Sequence, residues 1–178
     1  MAVLKIRLYP DPVLREATLP VTDVDDSVRK LVADMTETMR AAPGVGLAAP
    51  QVGVQRRVLV YSLGTEEPVH ALVNPEILER SGEQIDDEGC LSIPGLTFPV
   101  PRAERIVVRG LDADGQPMSL EAEEFEARVI QHEVDHLDGV LFLDRLAPAE
   151  RREALRTLRE QALDLTRVGV PRTPATSM

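Results

Sequence analysis

The chain has no tryptophan, and aromatic residues make up only 3% of it, so its interior must be built from Val, Leu, Ile and Ala. It has one cysteine, which excludes an internal disulfide and leaves a thiol free for other chemistry. No stretch approaches the roughly 20 apolar residues of a membrane span. The opening "MAVLKIRLYPDP" is too short and too polar for a signal peptide. Together these features lead to the expectation of a cytoplasmic protein. Lysine is nearly missing, with Lys5 and Lys30 its only instances, so arginine carries almost all of the positive charge. The formal net charge of −10 argues against non-specific nucleic-acid binding by the domain as a whole. What remains is 178 residues, 43% hydrophobic, enough for one domain with a real core.

Histidine is scarce too, yet two of the three stand four residues apart in "QHEVDHLDGVLF", Gln131 to Phe142. On a helix, His132 and His136 share a face and can reach one ion. Glu133 points about 100° away from His132 and can approach a water beside that ion without ligating. This is the HExxH arrangement of metallohydrolases. A catalytic site normally takes three protein ligands and keeps one position open. The extended pattern HExxHxxGxxH is followed as far as Gly139, but Phe142 stands where the last histidine belongs. Glu153, Glu160 and Cys90 remain as third-ligand candidates, the two acids in a segment dense in Arg and Glu where a solvated face accounts for them.

Periodicity supplies the frame. Val28, Leu31, Val32, Met35 and Met39 recur at helical spacing and predict a helix from Asp26 to Ala41, closed by Pro43 and Gly44. "GVGLAAPQVGV" reads as a constrained loop, and "RRVLVYSL" and "HALVNPEIL" as strands. "ERIVVRGLDADGQPMSLEAE" predicts a hairpin around Asp114 and Gly115 that leads into the HExxH helix. A last helix is expected from Pro148 to Arg167. The fold class predicted is α+β: one domain over residues 1–168, antiparallel sheets packed around a central HExxH helix, with an N-terminal and a C-terminal helix. Residues 169–178 are expected to form a disordered tail. Cys90, in "DEGCLSIPG", falls between predicted strands.

Three motifs in order, "GVGLAAPQ" (Gly44 to Gln51), "EGCLS" (Glu88 to Ser92) and "QHEVDH" (Gln131 to His136), resemble the peptide deformylases, which remove the N-formyl group from the initiator methionine of nascent proteins. The resemblance runs from about Leu4 to Leu146. It implies Cys90, His132 and His136 as metal ligands and Glu133 as the acid/base. It further implies that the Gln51 amide and the Leu91 backbone N–H hold an oxyanion. Val45, Gly46 and Gly89 would pair with the peptide backbone, a mode indifferent to most side chains. Phe125 and Val129 would line a methionine pocket, although their spacing alone reads as core. Glu88, Arg102 and Asp135 are expected to orient the ligands. The implied ion is Fe(II), with Zn(II) in some members, and Ni(II) or Co(II) also suit the donor set.

Two departures stand out. Glu124 replaces the glycine that usually precedes the metal helix. "LTF", Leu96 to Phe98, lacks an arginine with which some members grip the peptide. From Glu150 to Met178 the chain carries +2 against −12 elsewhere, with Arg152, Arg156 and Arg159 spaced as one helical stripe. Ordinary solvated surface accounts for such a stripe, and a ribosome contact is the alternative. The rival functions are an HExxH zinc endopeptidase and a non-catalytic, metal-stabilised binding module.

Overall fold

The computed structural model describes the backbone of residues 1–168 and the side chains of residues 1–163; the expected tail, 169–178, lies outside the described residues. Its frame is an antiparallel sheet of five strands, ordered β1 (Gly46–Ala48), β2 (Val58–Tyr61), β3 (His70–Ser81), β6 (Arg105–Leu111) and β7 (Pro117–Glu123). Strand alternation divides the interior in two. Val58 and Val60 of β2 face helix α1 (Asp26–Ala41), packing with Val28, Leu31, Met35 and Met39. Leu59 and Tyr61 face the other way, onto Ala127, Val129, Ile130 and Val134 of α2 (Glu124–Leu137). Helix α1 has the predicted bounds, and the Asp25 side chain caps it by accepting from the Val28 N–H at 3.0 Å.

The flank of α2 turned away from the sheet is covered by a second hairpin, β4 (Gln84–Cys90) and β5 (Ile93–Arg102). A third apolar cluster joins Ile93, Leu96 and Val100 of β5 to Leu14, to Leu141–Leu143, and to Ala154 of α3 (Pro148–Val168). Helix α2 is therefore buried from Ala127 to Leu137, and its polar side chains sit in the interior with it. Cys90 ends β4 and does not lie in an open connection as expected. Prolines 94, 99 and 101 weaken the strand signal of β5, but a two-stranded ribbon leaves each strand an edge where the lost N–H goes unmissed. No helix among the described residues is long and apolar enough to cross a membrane.

Candidate metal centre and active site

The i, i+4 spacing on α2 does what the sequence requires of it. His132 Nε2 and His136 Nε2 lie 3.2 Å apart, and Cys90 Sγ at the end of β4 is 3.2 Å from His136 Nε2. All three ligand atoms fall within 4.8 Å of one another. Tetrahedral bonds of about 2.0–2.3 Å place neighbouring ligand atoms roughly 3.3–3.7 Å apart, so this spacing fits one divalent ion. Glu153 and Glu160 are exposed on α3 and are not part of the group.

Glu88 fixes the tautomer. Its Oε1 lies 2.5 Å from His132 Nδ1, which places the donated proton there and leaves Nε2 with its lone pair towards Cys90 and His136. Arg102 grips the same carboxylate through Nε at 3.1 Å and Nη2 at 2.6 Å, and Arg128 Nη1 adds a bond of 2.9 Å. The third Arg102 nitrogen reaches Asp135 Oδ2 at 2.6 Å, and Arg145 closes on Asp135 with bonds of 3.1 and 2.6 Å. Burial raises the Glu88 carboxyl, but hydrogen bonds from His132 and Arg102 outweigh it and hold it far below the carboxylate range. Glu88, Arg102 and Asp135 thus form one network. Arg128 and Arg145 complete it and escape sequence reasoning, since an arginine on a charged helix or loop reads as surface.

Glu133 makes no ion pair among the described residues, and its Oε2 is buried without a hydrogen-bond partner. Burial pushes its carboxyl up to about 7. The carboxylate lies against the backbone of β1: a Cβ built on Gly46 would come within 2.8 Å of Glu133 Cδ and closer still to Oε1. Residue 46 must therefore be glycine if the carboxylate is to occupy that position.

Gln51 lies in the short helical turn that follows β1. Its Oε1 accepts from the Ala48 N–H at 2.8 Å, which bonds the loop and turns the NH2 towards Ser92 Oγ at 3.2 Å and Cys90 Sγ at 3.7 Å. Leu91 follows Cys90 in the tight turn between β4 and β5. A cavity of about 360 Å³ opens beside these groups. Val45, Gly46, Gly89, Phe125 and Val129 are among the residues that line it. Strands β1 and β4 each have one edge unpaired within their sheets, and both border this cavity. Val129 is buried and shared with the core, whereas Phe125 is 49% exposed at the rim.

The family model for polypeptide deformylase matches residues 3–152. The peptide deformylase of Acidothermus cellulolyticus is 55% identical over 161 residues, covering 90% of this chain and 88% of that one. The crystal structure of a peptide deformylase from Legionella pneumophila superposes with a TM-score of 0.86 at 42% identity, over 96% of this chain and 100% of that one. That from Thermus thermophilus gives 0.85 at 47% identity, over 91% and 96%. With the metal-capable triad, the flanking strand edges and these relatives in agreement, the chain belongs to the polypeptide deformylase family.

Proposed function

We propose that this protein hydrolyses the formamide of N-terminal formylmethionine in nascent chains, releasing formate and a free amine, with Fe(II) as its resident ion. The observation that carries this reading is the convergence of Cys90, His132 and His136 beside an unpaired buried glutamate, in a cavity bordered by two open strand edges. A divalent ion held by that triad supplies Lewis acidity and makes water nucleophilic near neutral pH. Zn(II), Ni(II) and Co(II) suit the same donors, and the family resemblance favours Fe(II).

Glu133 takes a proton from the attacking water and returns it to the amine nitrogen as the C–N bond breaks. Burial raises this carboxyl, which makes it a better proton acceptor than an exposed glutamate. The negative charge that develops on the formyl oxygen is met by the Gln51 amide, held in orientation by Ala48, and by the Leu91 N–H. The substrate enters as an extended strand between β1 and β4, read through the backbone at Val45, Gly46 and Gly89, so one enzyme serves many sequences. Phe125 and Val129 receive the methionine side chain. Glu88, Arg102 and Asp135 hold the ligands in place.

Such a substrate emerges from the ribosome in the cytoplasm, and the exposed Arg152, Arg156 and Arg159 on α3 suit a contact with ribosomal RNA. The test of the reaction is formate release from formyl-Met-Ala-Ser by anaerobically purified protein, with acetyl-Met-Ala-Ser as control. Turnover of the first and not the second is expected; cleavage of internal peptide bonds instead would make it an endopeptidase.

A further inference from the structure

Gln51 borders the cavity, but a residue that does not border it helps to set its orientation. Ser92 lies in the turn between β4 and β5, just beyond Cys90 and Leu91, and is wholly buried. Its carbonyl accepts from the Tyr9 N–H at 2.9 Å, which ties the turn to the N-terminal segment. Its Oγ stands 3.2 Å from Gln51 Nε2 and accepts one of the amide hydrogens.

The Gln51 amide is thereby held at both of its ends. On the oxygen side, Oε1 accepts from the Ala48 N–H at 2.8 Å. Held there alone, the amide could still swing, because the last torsion of a glutamine side chain has a broad minimum. An NH2 group is a double donor with fixed directions, so once Ser92 takes one hydrogen the direction of the other is set. That other hydrogen is left for the side of Cys90, whose Sγ is 3.7 Å from Nε2 and which is one of the metal-capable triad.

We propose that Ser92 is a positioning residue for the reaction: by taking one Gln51 N–H it aims the other at the charge that develops on the formyl oxygen. This rests on the deformylase reading and gives a task to a hydroxyl that never meets the substrate.

The test is a double-variant cycle of Ser92→Ala and Gln51→Ala, with formate release from formyl-Met-Ala-Ser measured per bound metal. Ser92→Ala should lower kcat about 10-fold and leave KM within about 2-fold of wild type, since the aim of the amide matters only as charge develops. In the Gln51→Ala background it should cost nothing further. Ser92→Thr keeps the oxygen and should recover most of the loss. Proton–nitrogen NMR of the zinc-loaded protein gives a readout apart from turnover. The Gln51 side-chain NH2 pair, assigned by its absence in Gln51→Ala, should shift in Ser92→Ala and return towards its wild-type position in Ser92→Thr. A merely structural role lowers metal content or raises KM, and adds to the effect of Gln51→Ala. Such additivity, an unchanged kcat or an unmoved NH2 pair overturns the proposal. Should Ser92→Ala not fold, the cycle is run with Ser92→Gly, which also removes the oxygen, and the same outcomes decide. No formate release by metal-loaded wild type overturns the deformylase reading, and the task given to the Gln51 amide with it, whatever the NH2 pair does.

Discussion

At the scale of single residues, the site depends on a side chain that is missing. Gly46 leaves the space in which the Glu133 carboxylate rests, and a methyl group there would overlap it. Gly46→Ala should therefore bind metal normally yet lose at least about 10-fold in kcat, while Glu133→Ala loses about 100-fold or more. The double variant should be no slower than Glu133→Ala alone, because the added methyl acts only through the carboxylate it displaces. An equal further loss in the double variant would place the effect of Gly46 elsewhere, and metal content distinguishes either result from a collapsed site. Glu133 is legible in the sequence because HExxH fixes it relative to its own helix. The reason for Gly46 is not legible, since it depends on β1 and α2 meeting across the fold. Arg128 and Arg145 escape for the same cause: what makes them interior is a partner on another element.

The elements show where a local rule is broken and what holds the exception in place. Glu124, where the family resemblance leads one to expect glycine, adopts φ +49 at the start of α2, a region that costs a non-glycine residue about 1 kcal/mol. Its backbone is pinned on both sides, the N–H donating to the Glu104 carbonyl at 2.8 Å and the carbonyl accepting from Gln84 Nε2 at 2.7 Å. Glu124→Gly should raise the melting temperature by about 2–4 °C, measured by calorimetry, with formate release unchanged. A lower melting temperature would show that the glutamate side chain contributes more than its backbone strain removes. Asp144 ties the Phe142–Asp144 turn to the N-terminal Pro12–Arg15 turn through Arg15 and accepts the Leu141 N–H at 3.0 Å. Burial raises its carboxyl, but the bonds from Arg15 and Leu141 prevail and hold it below its usual value of 3.8. A depressed acid contributes stability above its unfolded pKa and loses it as pH falls through the folded one. The melting temperature of Asp144→Asn should accordingly fall less steeply than that of wild type below about pH 4. The α1 bounds and the β6–β7 hairpin follow from period and turn chemistry alone. The β4–β5 pairing that carries Cys90 is hidden by its prolines.

For the whole molecule, the sequence reveals the site through three motifs far apart in the chain, and the fold shows why they belong together: β1, β4 and α2 meet at one cavity. Charge is distributed unevenly over the same body, with the C-terminal segment positive in an otherwise acidic chain. Helix α3 packs through Ala154, Leu155 and Leu158, which turns Arg152, Arg156 and Arg159 outward. Further along, Gln161 Nε2 comes within 3.6 Å of where a Cβ on Gly95 would stand, and Gly95 borders the cavity. A surface docked on α3 is thus held beside the cavity mouth, where an emerging N-terminus would have a short path to the metal ligands. If RNA is that surface, attraction to phosphate should weaken steeply with salt. Reversing the three arginines to glutamate should abolish co-sedimentation with ribosomes at low salt and leave hydrolysis of formyl-Met-Ala-Ser unchanged, because none of the three borders the cavity. Equal co-sedimentation of variant and wild type would return the stripe to ordinary solvated surface. Loss of peptide hydrolysis along with it would mean that α3 supports the site itself, through the contact at Gly95.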